Sequence, residues 1–152
     1  MTTALEERIK FWKIFEEKLI ENGEPFSIIH EKGGEPTFWA TINRKHSIVD
    51  ICLNVEFLYK FKKIRYGIYI RDNVDLFNFL FKRKEEIENI LGFKVNWILE
   101  GKINKNTRRI VLEIPVTIGD KNDYENTIEK MLPFLMKFKE VFPQYISNLF
   151  DF

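Results

Sequence analysis

Three arginines, a tyrosine and a tryptophan are the side chains in this 152-residue sequence best suited to holding a ligand. Period-two alternation places Trp39, Arg65, Tyr69, Arg71 and Arg109 on a common side of predicted strands. Aromatic rings and guanidinium planes on a sheet can stack unpaired bases, and arginines can hold phosphates. Lys62 and Lys63 fall at a strand end, with Lys102, Lys105 and Arg108 at other ends or turns, where cations extend a phosphate-contacting rim. The same alternation brings Asp50, Cys52, Asn54, Asn96, Glu100 and Glu113 to that side. The competing expectation is therefore cross-strand pairing of Arg65, Arg71 and Arg109 with Asp50, Glu100 and Glu113 on a solvated face. No RNP-type signature, Gly-rich loop or helix-turn-helix pattern accompanies these residues.

A second chemistry is metal-dependent phosphodiester cleavage. Glu100-Gly101-Lys102 puts a carboxylate and an ammonium two residues apart at a strand end. Glu100 could hold Mg²⁺ while Lys102 polarises a water or a phosphate. A second acidic ligand would have to come from Asp50, Asp72 or Glu113, and Asp72 reads better as a helix cap. Gly101 and Asn104 mark the start of a hairpin turn at the same place. Cys52 lies mid-strand with no activating neighbour, and His30 and His46 lack the third ligand of a zinc site. No cofactor motif occurs.

The charge supports attention to the middle of the chain. The total is +1, with 24 basic and 23 acidic residues. Residues 60–109 hold 13 basic and 6 acidic side chains, for +7, whereas residues 1–59 and 110–152 each come to −3. Such asymmetry creates a local positive field that a neutral total conceals. A single cysteine excludes an internal disulfide framework. No run approaches 18 apolar residues, and Glu6 and Glu7 stand where a signal peptide would be basic and then apolar. These features predict one soluble, cytoplasmic domain over residues 1–152, with no membrane association.

The elements that must position the candidate residues are α plus β. Thr3 with Glu6 makes a capping box for a helix to residue 22, with Leu5, Ile9, Trp12, Phe15 and Leu19 at helical spacing. Alternation then predicts strands around 38–42, 49–55 and 64–70. A capped helix runs from about 74 to Leu91 and Gly92, followed by strands around 95–99 and 110–114. The last helical region begins near Asp120–Asp123, is kinked or split by Pro133, and gives way to a short segment at Pro143. Short links imply hairpins, so the expected fold is a largely antiparallel five-stranded sheet with helices on one face. Its order is helix, three strands, helix, two strands, helix. The stretches 76–81 and 131–142 are apolar around more than one helical face, which fits burial on two sides or a homodimer contact.

Arg8-x-x-Phe11-Trp12, the Trp39 strand, Lys84-x-x-Ile87-Glu88-x-x-Leu91-Gly92, Trp97, Ile110 and Phe142-Pro143 together resemble the domain-of-unknown-function family numbered 4268. The resemblance spans roughly Ile9 to Ile146 and rests mainly on packing positions. Members of that family stand alone or follow nuclease-like modules, which implies a nucleic-acid or host-defence setting and a nuclease-type partner; it carries over no catalytic residue. The combined expectation is a non-catalytic accessory domain binding nucleic acid or a partner protein. The alternatives are a Mg²⁺-dependent nuclease using Glu100 and Lys102, and a homodimeric interaction domain.

Overall fold

The computed structural model describes residues 3–23, 28–30, 39–42, 51–99 and 106–146. Helix α1 (Ala4–Glu21) starts where Thr3 accepts a hydrogen bond from the Glu6 amide at 3.1 Å, as the capping box predicts, and ends at Asn22 and Gly23. Its buried stripe is turned from the expected one. Leu5 and Ile9 are exposed, while Glu7, Phe11, Trp12, Ile14, Phe15 and Leu19 face inward. The rotation follows its partners: Phe11 stacks on Phe57 at 4.6 Å, and Glu7 receives the Tyr124 hydroxyl hydrogen at 2.6 Å.

Strands β1 (Ile28–His30), β2 (Trp39–Ile42), β3 (Ile51–Leu58), β4 (Lys63–Arg71), β5 (Asn96–Ile98) and β6 (Thr107–Pro115) form one antiparallel sheet in the order β1-β2-β3-β4-β6-β5. Among the described residues there are thus six strands where alternation predicts five. The added edge strand is three residues long, too short for a period-two pattern to show. One side of the sheet carries Leu53, Val55 and Phe57, then Ile64, Tyr66, Ile68 and Ile70, then Ile110. Side chains of the four α-helices among the described residues meet that side in one apolar core, as expected for helices layered on one face.

The expected helix after β4 is two helices, α2 (Val74–Phe81) and α3 (Lys84–Leu91). No proline or glycine divides them. The Arg83 amide bonds to Leu80 O, three residues back, and the Phe79 carbonyl it would have used accepts the Arg83 guanidinium at 2.9 Å. That guanidinium also lies 3.7 Å from the Phe79 ring centroid, so the side chain holds the break. The cap of α2 is Asn73, which accepts from Leu76 N, and not Asp72, which sits in the left-handed region at φ 55°. Gly92 closes α3 at φ 86°, as predicted.

Helix α4 (Lys121–Val141) runs through Pro133 without the expected split. Pro133 and Glu129, four residues back, are both exposed, so water can satisfy the carbonyl that proline leaves without a donor. A 3-10 turn over Phe142–Gln144 follows, with Pro143 in its first positions, where the sequence predicts a new short segment. The apolar stretch from Met131 is absorbed by the chain's own core: Met131, Leu135, Phe138 and Phe142 are fully buried. No helix among the described residues is long and apolar enough to cross a membrane.

Candidate nucleic-acid interface

Strand register decides which candidate residues meet. On the side of the sheet away from the core, one row pairs Trp39 with Glu56, Glu56 with Arg65, and Arg65 with Glu113. Another joins Cys52, Tyr69, Arg109 and Ile98. Asn54, Gly67 and Val111 lie between them, and Arg71 opposite Thr107 closes the end of the face. Arg65, Tyr69, Arg71 and Arg109 therefore do share a face. The backbone of Trp39 sits at the edge of the Glu56 row.

Glu56 is the organising group. Arg65 grips it with two hydrogen bonds of 2.8 Å, Nε to Oε1 and Nη2 to Oε2. Arg109 donates from Nε to the same Oε1 at 3.2 Å. The Glu56 side chain is 5% exposed, against 22% for Arg65 and 16% for Arg109. Burial works against the charge of Arg65, but the hydrogen bonds and charge of Glu56, with the charge of Glu113, outweigh it and hold the guanidinium above its ordinary value. Arg65 and Arg109 are thus ion-paired through Glu56, a carboxylate of the same face. Glu113 pairs with Lys63, Arg71 lies 3.9 Å from Asp72, and Asp50 and Glu100 lie outside the described residues. Glu56 was legible one step beyond Asn54 in the same alternation.

Tyr69 lies beneath Arg109, whose guanidinium carbon is 5.1 Å from the ring centroid. Burial pushes the Tyr69 phenol up, opposed by the positive charges of Arg109 and Arg71. Gly67 explains how the strands approach here. Its φ is 145°, and a Cβ would stand 2.3 Å from Ile110 O and 2.9 Å from Val111 Cα, so only glycine lets β4 and β6 pair at this point.

The centre of the face is closed. Cys52, Asn54, Glu56 and Val111 are each at most 8% exposed, and Asn54 Oδ1 is buried with no partner. A bare stacking platform across β3 is thereby ruled out for these four. What remains accessible is the margin: Lys60 and Lys62 at the β3–β4 turn and Arg71 at the far end of β4 are exposed, and Arg65, Tyr69 and Arg109 are partly so. Among the described residues here, Lys60, Lys62, Lys63, Arg65, Arg71 and Arg109 stand against Glu56, Asp72 and Glu113, six cations to three carboxylates.

Glu100 and Lys102, the nuclease pair, fall outside the described residues, as do Lys105 and His46. Of their possible companions, Asp72 and Glu113 are exposed and lie at different ends of β4 and its partner. Among the described residues, no three His, Cys, Asp or Glu side chains gather to hold a metal. Cys52 is buried and makes no disulfide.

No curated protein and no solved structure matches the chain. A family model does, over residues 7–146, which runs from within α1 through every later element to the turn at Pro143. The span agrees with the resemblance carried by Arg8, Phe11, Trp12, Ile87, Leu91 and Ile110, and the chain belongs to the family described as Domain of unknown function (DUF4268).

Proposed function

We propose that the chain is a non-catalytic, single-domain cytoplasmic protein that binds nucleic acid along the margin of its β3–β4–β6 face. The observation that carries this is the ratio at Glu56: two guanidinium groups share one carboxylate, so the cluster keeps a net positive charge beside the Tyr69 ring. Lys62 and Arg71 extend that charge along β4 at its two exposed ends. Arg65 and Arg109, held rigidly, present their remaining N–H groups with little entropy left to lose, which favours phosphate oxygens as acceptors. Trp39 and Lys63 belong to the same interface, one at its edge and one through the pair with Glu113.

The test is fluorescence anisotropy of labelled single- and double-stranded DNA and RNA at low and physiological salt. Binding is expected at micromolar Kd, weakening steeply as salt rises, because counterions are released from the contacted phosphates. Lys62→Ala with Arg71→Ala removes two exposed cations without touching Glu56. It should weaken binding to every sequence alike and flatten the salt slope by about 1.4–1.8, two phosphates' worth. Absence of binding to all four probes at low salt overturns the proposal.

A further inference from the structure

Away from Glu56, one buried N–H of a half-buried arginine lacks an acceptor. Ala4 and Arg8 of α1, Phe57 and Leu58 at the end of β3, and Tyr59, Lys60 and Phe61 in the turn line a cleft of about 150 Å³. Arg8 Nε is buried with no hydrogen-bond partner. No ion pair reaches Arg8 or Lys60 among the described residues. A guanidinium N–H held out of water without an acceptor is unfavourable, and it favours any anion that can enter. The volume admits about five waters, or one planar ring, and is well short of the ~300 Å³ of a drug-sized site.

The mouth of the cleft is aromatic and basic. Phe61 is 71% exposed, in a turn whose sequence alternates rings and ammonium groups: Tyr59, Lys60, Phe61, Lys62, Lys63. The Lys63 ammonium lies 5.8 Å from the Phe61 ring centroid. Lys62 adopts a left-handed conformation at φ 52°, ψ 46°, where glycine or asparagine is the easier residue. The turn thus keeps a lysine at a position that disfavours it, next to a large apolar ring left in water.

We infer that this turn and cleft seat one unpaired nucleotide of a single strand, its base against Phe61 and the apolar wall and its phosphate on Arg8 and Lys60. A paired base cannot offer its face to Phe61, so the site selects single strands over duplex. The inference rests on the nucleic-acid function proposed above and locates the base-contacting end of that margin.

A labelled 12-nucleotide single strand and the same strand in duplex, titrated by anisotropy with wild-type protein, Phe61→Ala and Arg8→Gln, test it. The wild type should prefer the single strand at least about tenfold. Phe61→Ala should weaken single-strand binding about five- to hundredfold, the range for one stacked base, and leave duplex binding unchanged. Arg8→Gln should lower the salt slope by about 0.7, one single-strand phosphate. Circular dichroism and urea midpoints establish that both variants remain folded, and Lys60→Ala repeats the phosphate test outside the helix. Single-strand binding indifferent to Phe61 and Arg8 overturns the inference while the sheet-margin function stands. Failure of every strand to bind overturns both.

Discussion

Replacing Glu56 by alanine should be among the most damaging single changes on the sheet face. It removes three hydrogen bonds of 2.8, 2.8 and 3.2 Å and leaves two guanidinium groups facing one another with no carboxylate between. Breaking a fully buried ion pair costs about 3–5 kcal/mol. Arg65 and Arg109 keep 22% and 16% of their side-chain surface and can turn partly to water, which brings the expectation to about 2–4 kcal/mol. With a urea slope of about 2 kcal/mol per molar, the midpoint should fall by about 1–2 M. Glu56→Gln keeps the shape and one acceptor and should lose about half as much. Replacing Glu56, Arg65 and Arg109 together by Leu, Met and Met should recover more than half of the alanine loss, because no charge then remains to be desolvated. A Glu56→Ala unfolding free energy within about 0.5 kcal/mol of wild type would refute the clamp.

Other consequences follow from the same geometry. Gly67→Ala should destabilise by about 3 kcal/mol or prevent folding, since its Cβ meets Ile110 O at 2.3 Å and its φ of 145° excludes a side chain; a wild-type urea midpoint would contradict this. Tyr124→Phe removes the hydroxyl that donates to Glu7 at 2.6 Å and accepts from Gly119 N at 3.0 Å, and should cost about 1–3 kcal/mol by the same assay. Burial raises the Tyr66 phenol from 10.0 to about 12, so the folded chain holds that proton more tightly than the unfolded chain. The stability this contributes is complete below pH 10 and is lost as pH rises through about 12. Tyr66→Phe should therefore flatten the alkaline fall of the urea midpoint, and an unchanged alkaline limb would count against the shift.

Much of the architecture was legible because strong local signals agreed with the tertiary solution. Thr3, Asn22-Gly23 and Gly92 bound helices by local capping chemistry, and the alternation at 64–70 and 110–114 placed its residues on the correct faces. The misses are non-local. Nothing near Leu5 says that Glu7 will be drawn inward by a tyrosine 117 residues away. Nothing near Arg83 but a side-chain contact breaks α2 from α3. Arg65 and Arg109 were assigned to the right face, but their shared partner follows from register: Glu56 stands directly opposite Arg65, while Arg109 reaches it across the intervening strand β4. Burial of Cys52, Asn54 and Val111 on the face away from the helices was not expressed in alternation at all. Arg8 entered only as a packing position in the family pattern, and its orphaned Nε is a fact of three-dimensional placement.

The most direct test of nucleic-acid binding by this face is a ¹H–¹⁵N titration of the full chain with a short single-stranded oligonucleotide, following backbone amides and arginine Nε–H signals together. Progressive shifts are expected at Lys60–Lys63, Tyr69–Arg71 and Thr107–Arg109, with the Nε–H resonances of Arg65 and Arg109 moving in step and the outer faces of α3 and α4 unaffected. Shifts confined to those helices, or a spectrum unmoved at millimolar oligonucleotide and low salt, would contradict it.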